Sequence, residues 1–138
     1  MIGTAMAYRA PQNAALHDRV IQAAASRLDS TNYDVYTNPG SYKNISIGDN
    51  YPDIVLTRKG ELTVQFIIEV ETADSITQAE ASQQWRKYAT EIKASFYILV
   101  PLHSKQLAVT LCKQIGISAR FGTYSLDHYG NVTDVRYE

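Results

Sequence analysis

The sequence predicts a single-domain α/β sandwich in which a mixed sheet is flanked by helices. Apolar residues recur at helical spacing in three segments, and β-rich segments separate them. Two β-rich segments, 53–57 and 62–71, flank a glycine-containing turn at residues 58–61 and should pair as an antiparallel hairpin. The strand, helix, strand passage over residues 63–100 favours a right-handed crossover between parallel strands. Together these observations predict a sheet with both kinds of pairing.

The N-terminal half of the chain should contain one helix and three strands. Residues 1–11 carry no periodicity and are predicted to form a loose arm. Apolar residues then recur at helical spacing over residues 13–28, which predicts an amphipathic helix with Asn13 as its N-cap. A short strand should end at the NPG sequence of residues 38–40, and a polar loop over residues 41–50 should lead into the hairpin.

The C-terminal half should alternate helices with strands. Thr77 and Glu80 form a predicted capping box, which opens a helix running to about Lys93. The apolar segment at residues 95–101 is predicted to be a strand covered on both faces. The remaining elements are an amphipathic helix at residues 104–116 and two edge strands at residues 119–127 and 131–138. The predicted order of elements is α-β-β-β-α-β-α-β-β.

Composition narrows the classes of function. The chain has 138 residues, which suits one domain, and its 13 basic and 14 acidic residues do not indicate a nucleic-acid or membrane surface. Cys112 is the single cysteine, which excludes an intrachain disulfide and suits a reducing cytoplasm. No apolar run approaches the ~18 residues needed to span a bilayer. We therefore expect a cytoplasmic protein without a membrane partner.

Three carboxylates interrupt the apolar segments of the predicted hairpin. Side chains alternate along a strand, so Glu69 and Glu71 should point to one face near the strand end, and Asp53 should lie opposite them. Hard cations such as Mg²⁺ take oxygen ligands, and three converging carboxylates would hold one of them. An alternative is equally compatible with the spacing: Glu69 and Glu71 line a solvated strand end, and Asp53 caps a turn.

The helix that follows the hairpin adds a polar residue to this region. Its stripe facing the sheet should contain Ala81, Gln84 or Trp85, Tyr88 and Ile92. Gln84 would then lie on or beside the buried face, where a side-chain amide needs a hydrogen-bond partner. Trp85 is expected to be a core anchor rather than a platform for base stacking.

Three short segments resemble, in this order, the motifs of the PD-(D/E)XK nuclease superfamily. They are Pro52-Asp53, then Glu69-Val70-Glu71 after a hairpin, and then Gln84-Trp85-Arg86-Lys87-Tyr88 on the next helix. The last segment is similar to the Q-h-x-x-Y motif of the RecB-like branch. The resemblance covers about residues 13–101. It implies a restriction endonuclease-like fold and a phosphodiesterase activity that requires Mg²⁺ or Mn²⁺.

The resemblance also implies roles for individual residues. Asp53 and Glu69 would bind the metal, and the carbonyl oxygen of Val70 would add a ligand. Gln84 and Tyr88 would orient the site or contact phosphate. The residues expected to contact substrate are Gln84, Arg86, Lys87 and Tyr88.

One residue departs from the motif, because Glu71 occupies the position where the family carries lysine. Lys87 on the neighbouring helix would supply the missing charge in one reading. In another, Glu71 acts as a general base or recruits a second cation, which makes it a further metal ligand. In a third reading the site is inactive. Asp18 is a weaker candidate for an additional acidic ligand.

The histidines are expected to play no part in metal binding. His17, His103 and His128 are scattered without the spacing of metal ligands, so surface positions are predicted for all three.

We therefore expect a metal-dependent nuclease that hydrolyses DNA phosphodiester bonds, with Asp53, Glu69 and Glu71 as its acidic cluster. A homodimer is expected, because one domain with few basic residues neutralises few phosphates and two protomers double that number. The alternative is a catalytically inactive module of the same fold that binds nucleic acid or a protein partner.

Overall fold

A six-stranded mixed sheet forms the centre of the protein, which a computed structural model describes over residues 9–138. The strands are β1 (Tyr33–Thr37), β2 (Ile54–Arg58), β3 (Val64–Val70), β4 (Ser95–Pro101), β5 (Arg120–Leu126) and β6 (Val132–Tyr137), and they lie in this order across the sheet. Strands β1, β2 and β3 pair antiparallel, β3, β4 and β5 pair parallel, and β6 pairs antiparallel with β5. The antiparallel hairpin, the parallel crossover and the α/β class are confirmed.

Helices cover both faces of this sheet. They are α1 (Pro11–Ser26), α2 (Gln78–Glu80), α3 (Arg86–Glu91) and α4 (Lys105–Ile115), and a π-helical turn (Ala81–Trp85) joins α2 to α3. We call residues 78–91 the composite helix. Within residues 9–138, no helix combines the length and the apolar character needed to cross a membrane.

Strand β3 contributes to a different core on each face. Ile68 and Val70 pack with the buried face of α1, which includes Val20 and Ile21. Ile67 lies on the opposite face, in the cluster that contains the composite helix and α4. Because side chains alternate along a strand, the acidic residue Glu69 follows Ile67 onto the face of the composite helix. Burial of each large aliphatic side chain stabilises the fold by about 1.5 to 3 kcal/mol.

Strand β5 lies inside the sheet, so the prediction that it forms an edge is wrong. It pairs with β4 on one side and with β6 on the other. Gly122 makes this placement possible, because a Cβ atom there would lie 2.8 Å from the ring of Tyr137 and 3.0 Å from Leu99. The absence of a side chain at residue 122 therefore lets the ring of Tyr137 on β6 pack against β5.

Helix α1 begins two residues earlier than predicted, and Asn13 is not its N-cap. Pro11 occupies the first helical position, where its missing N–H costs nothing, and Ala10 is the N-cap. The backbone N–H of Ala10 donates to Asp74 at 3.0 Å, so the predicted loose arm is wrong for its last residues. The rest of that predicted arm, residues 1–8, lies outside the described residues.

The composite helix starts where the capping box predicted. The Thr77 hydroxyl accepts the N–H of Glu80 at 3.1 Å, which forms one half of the box. The carboxyl of Glu80 does not complete the other half, because it turns toward the sheet and is buried. This helix therefore brings an acidic side chain to the end of β3.

Candidate metal centre

Three buried carboxylates converge at the carboxyl end of β3. Glu69 lies near the end of the strand, Glu71 directly follows it, and Glu80 comes from the first turn of the composite helix. One carboxylate oxygen from each lies within 4.8 Å of the other two. Their relative exposures are 4, 0 and 8%, respectively. We call Glu69, Glu71 and Glu80 the carboxylate cluster.

Asp53 lies next to this cluster and is joined to the end of β3 by two hydrogen bonds from backbone N–H groups. Its N–H donates to Glu69 Oε1 at 3.0 Å, and its Oδ2 accepts the N–H of Val70 at 2.7 Å. These two bonds join the start of β2 to the end of β3. The predicted set of Asp53, Glu69 and Glu71 is therefore close in space, but Glu80 is the third member of the tightest group.

Glu71 lies in a fully enclosed polar pocket. Its Oε1 accepts hydrogen bonds from Ser75 Oγ at 2.5 Å and from Arg9 Nη2 at 3.3 Å. Its Oε2 accepts the indole N–H of Trp85 at 2.9 Å. The hydroxyl of Tyr124 donates to the backbone carbonyl of Glu71 at 2.8 Å. This residue is oriented by protein groups on every side, so a solvated strand end is excluded.

The π-helical turn brings Glu80 and Trp85 to the same carboxylate. In an α-helix two residues five apart point about 140° away from each other, because each residue rotates by about 100°. A π turn closes at the fifth residue instead, and such turns are frequent at functional sites. Trp85 is thus both the buried core anchor that was predicted and a hydrogen-bond donor to Glu71.

The surroundings of the cluster favour the protonated carboxyl, most clearly at Glu80. Burial, and then the charges of Asp53, Glu71 and Glu80, raise the pKa of Glu69 well above its ordinary value. Burial and the neighbouring Glu71 raise the pKa of Glu80 to about 10. Burial also raises the pKa of Glu71, although Arg9, Ser75 and Trp85 favour its ionised form.

His17 is buried next to Asp53, so its predicted surface position is wrong. His17 Nε2 lies 3.1 Å from Asp53 Oδ2, and Nδ1 lies 3.1 Å from Asp18 Oδ1. Asp18 also accepts the N–H of Gly40 at 3.0 Å, so it holds His17 rather than joining the cluster. Burial lowers the pKa of His17, but the charge and hydrogen bond of Asp53 outweigh it and the pKa is raised. His103 and His128 are exposed, as predicted.

The donor set of this site fits a hard divalent cation. Carboxylate oxygens are the ligands that Mg²⁺ and Mn²⁺ prefer, and Asp53, Glu69, Glu71 and Glu80 supply them from two strands and a helix. Burial, and then the like charges of the neighbouring acids, raise the pKa values of Glu69 and Glu80, so this group of acids needs protons or a counter-ion. A cation would replace those protons.

Of the predicted helix residues, Gln84 and Tyr88 lie together beside the cluster. Gln84 Nε2 donates to the Tyr88 hydroxyl at 2.7 Å. Burial, and then the charges of Glu69, Asp53, Glu80 and Glu71, raise the pKa of Tyr88. Its hydroxyl is therefore neutral and is held by Gln84.

The two basic residues of the composite helix form no hydrogen bond or ion pair with the carboxylate cluster. Arg86 is exposed and donates to the backbone carbonyl of Ile115 at 3.2 Å, at the end of α4. Lys87 is half-buried and makes no hydrogen bond or ion pair with residues 9–138. Their expected contacts with substrate stay predictions.

The predicted metal ligand Val70 has a different partner. Its carbonyl accepts a hydrogen bond from Arg9 Nη2 at 3.1 Å, and the same nitrogen contacts Glu71. Arg9 thus brings a positive charge to the residue that replaces the motif lysine. Sequence reasoning missed it, because it falls in a segment without periodicity.

Two other members of the site carried a signal that reading of the sequence overlooked. His17 is spaced three, four and seven residues before Val20, Ile21 and Ala24, which places it on the apolar face of α1. Glu80 lies four residues before Gln84, so helical spacing puts them on one face. Because Glu80 was assigned only to the capping box, the contact of its carboxyl with Glu69 and Glu71 was not predicted.

Comparisons of the chain with protein-family models, with curated proteins and with solved structures found no match. Its class is therefore defined by the fold and the site. It is an α/β protein that gathers buried carboxylates at the carboxyl end of a central strand.

Proposed function

We propose that the protein is a divalent-metal-dependent nuclease that hydrolyses phosphodiester bonds in DNA. The observation that carries the proposal is the convergence of Glu69, Glu71 and Glu80 within 4.8 Å, with Asp53 bonded to the first of them. Such a buried group of acids is stable only with protons or a cation. Metal-assisted phosphoryl chemistry uses this kind of oxygen site.

The order of the elements supports the same proposal. The acids of the PD-(D/E)XK resemblance lie at the start of β2 and the end of β3, and the helix with Gln84 and Tyr88 packs beside them. A restriction endonuclease-like fold is part of the proposal. Sites in sheets of this kind lie at the carboxyl ends of parallel strands, which is where the cluster lies.

Each residue has a definite part in the proposed chemistry. Asp53, Glu69 and Glu80 would hold Mg²⁺ or Mn²⁺, and Glu71 is oriented by Trp85 and Ser75 to complete the shell. The bound cation would activate a water molecule and stabilise charge that develops on the phosphate. The amide of Gln84 and the hydroxyl of Tyr88 provide neutral hydrogen-bonding groups beside the reacting phosphate.

Cleavage assays test this function directly. Single-stranded, duplex and branched DNA and RNA are incubated with the protein in Mg²⁺ or Mn²⁺, and Glu69→Gln is compared with the control Glu91→Gln. Glu91 is exposed on α3, away from the cluster. We expect wild type and Glu91→Gln to cleave DNA, and Glu69→Gln to lose about 100-fold or more. No cleavage of any form with either metal would reject the proposal.

A second candidate is a binding module without catalytic activity, which one surface favours. Beyond the end of α1, a groove of about 230 Å³ is lined by the rings of Tyr33, Phe66, Tyr97 and Tyr137. Arg120 lies over the Tyr97 ring at 5.6 Å. Aromatic rings with an arginine suit stacking by unpaired bases. Binding of single-stranded DNA in EDTA without cleavage in Mg²⁺ or Mn²⁺ would support this candidate.

The proposal includes a homodimer. The net charge of −1 gives one protomer little attraction for a polyanion, and two protomers would double the number of phosphates contacted. Sedimentation with and without DNA tests the dimer separately from cleavage.

A further inference from the structure

We propose that Arg9 forms an oxyanion site at the carboxylate cluster, and that its ligand is a non-bridging phosphate oxygen. The proposal deepens the nuclease function and rests on it. Arg9 precedes α1, and its side chain reaches residues 61 and 62 positions further along the chain. No motif in the sequence marks it for this role.

Arg9 is held at the cluster by two hydrogen bonds from one nitrogen. Its Nη2 donates to the carbonyl of Val70 at 3.1 Å and to Glu71 Oε1 at 3.3 Å. The side chain has a relative exposure of 10%, so its position is set by packing. Among residues 9–138, it is the one lysine or arginine that forms an ion pair with a cluster carboxylate.

The Nε atom of Arg9 points to a missing ligand. Nε is buried and has no hydrogen-bond partner among residues 9–138, whereas Nη2 is fully engaged. A buried N–H without an acceptor is unfavourable, and native proteins rarely leave one unpaired. An acceptor for this N–H would lie within about 3 Å of Nε, next to the Nη2 atom that contacts Glu71.

Phosphate is the acceptor that fits both the donor and its surroundings. With Nη2 engaged, Nε offers one charge-assisted N–H donor, and the ionised oxygens of carboxylate and phosphate are strong acceptors for such a donor. A further carboxylate would add negative charge beside three converging carboxylates and Asp53. A phosphodiester would lie between the guanidinium and a cation on the carboxylates, with positive charge on both sides.

This role also accounts for the departure at the motif lysine. The family's lysine position is taken by Glu71, and the Arg9 guanidinium lies against that same side chain. Positive charge is thus restored at the end of β3 by a residue from before α1. The competing explanation is that Arg9 only neutralises Glu71 and ties down the chain before α1.

Titration with inorganic phosphate separates these explanations without requiring cleavage. The melting temperature is measured in Mg²⁺ with increasing sodium phosphate, against sodium chloride at equal ionic strength. Wild type is compared with Arg9→Met and with the control Arg27→Met, whose guanidinium is exposed and bonds its own helix at the Ala23 carbonyl. We expect phosphate to stabilise wild type and Arg27→Met, and its Kd to rise about tenfold or more in Arg9→Met.

A second variant keeps the test decisive if Arg9→Met folds poorly. Arg9→Lys retains a charge for Glu71 but lacks the Nε donor and the planar fork. The proposal requires weaker phosphate binding by Arg9→Lys than by wild type. Equal phosphate stabilisation of wild type and a folded Arg9 variant overturns the proposal, as does absence of phosphate stabilisation in wild type. Tighter Mg²⁺ binding by Arg9→Met with unchanged phosphate binding would show that Arg9 is only a counter-ion.

Failure of this inference is distinguishable from failure of the nuclease function. If wild type cleaves DNA and Arg9→Met cleaves with the same kcat and KM, the function stands and the oxyanion site is rejected. If no substrate is cleaved but phosphate binding still depends on Arg9, the oxyanion site stands and the nuclease function is rejected.

Discussion

The backbone N–H of Asp53 donates to the carboxylate of Glu69, one residue beyond the point where Ile54 of β2 pairs with Ile68 of β3. In return, Asp53 accepts the N–H of Val70. Two acids on adjacent strands are therefore held at a fixed separation by main-chain groups. Since the backbone of a central strand is rigid, this geometry exists before any ligand binds.

Divalent cations should stabilise the fold through this preorganised site. A ligand that binds only the folded state at ten times its Kd contributes about 1.4 kcal/mol. For a domain of this size that is roughly 3 to 6 °C in melting temperature. Scanning calorimetry with Mg²⁺ or Mn²⁺ should show the rise in wild type and none in Glu69→Gln.

Glu69→Gln is a matched substitution for this measurement. Its amide oxygen can still accept the N–H of Asp53, while the charge is removed. Without metal we expect its stability to equal or exceed that of wild type, because the neutral amide avoids the burial and the repulsion that penalise an ionised carboxylate at this position. An equal metal-induced rise in both proteins would contradict the assignment of Glu69 as a ligand.

Stability without metal should fall as pH rises, and Glu80 should account for much of the slope. Its pKa is about 10 in the fold against an ordinary 4.5, so between these values the native state holds a proton that the unfolded state has released. The stability that depends on this proton is fully present below about pH 4.5 and is lost as pH rises toward about 10. For each retained proton, the free energy of unfolding falls by up to about 1.4 kcal/mol per pH unit across this range. Urea unfolding in EDTA from pH 5 to 9 should give Glu80→Gln a smaller slope than wild type. An unchanged slope would show that Glu80 does not retain the proton.

Replacing Glu71 by lysine should destabilise the protein rather than activate it. The motif resemblance alone would favour lysine here, but Glu71 accepts hydrogen bonds from Trp85 and Ser75 and pairs with Arg9. A lysine would leave those donors unpaired and bury two cations together, at a cost of about 3 to 5 kcal/mol. Chemical denaturation should show this loss, and Glu71→Gln should lose less. A stable and more active Glu71→Lys would refute this interpretation.

The hydrogen bond between Gln84 and Tyr88 should matter more for activity than for stability. Its loss should lower the free energy of unfolding by about 1 kcal/mol, because it is a single neutral bond. Gln84→Leu and Tyr88→Phe should both reduce cleavage. In a double-mutant cycle the two losses should not add, since both changes remove the same bond. Full activity in both variants would show that this hydrogen bond serves only the packing of the helix.

His17 should titrate above its ordinary pKa, and Asp53 should be the reason. Burial alone lowers this pKa, and the Asp53 carboxylate reverses the direction. Nuclear magnetic resonance titration in EDTA should give wild-type His17 a pKa above 6.5, and Asp53→Asn should lower it. The stability from the His17–Asp53 pair is present below pH 6.5 and is lost as pH rises through the folded pKa. A value unaffected by Asp53→Asn would assign the shift to Asp18.

Local patterns were sufficient to predict the elements and part of the site. The hairpin around Gly60, the parallel crossover from β3 to β4 and the buried face with Trp85 and Tyr88 all followed from periodicity and turn residues. These features depend on residues a few positions apart, whose spacing sets the face that each side chain occupies. The same rule predicted that Glu69 and Glu71 share one face of the strand.

The tertiary structure alone decided which groups complete the site. Arg9 contacts Glu71 across 62 positions, and His17 contacts Asp53 across 36. Glu80 reaches the cluster through a helix whose turn is widened beside Trp85. Such contacts arise when elements pack, and a buried charge is retained only where packing also supplies its partner. Periodicity is a property of neighbouring residues, so it could mark the faces of the elements but not the partners of these charges.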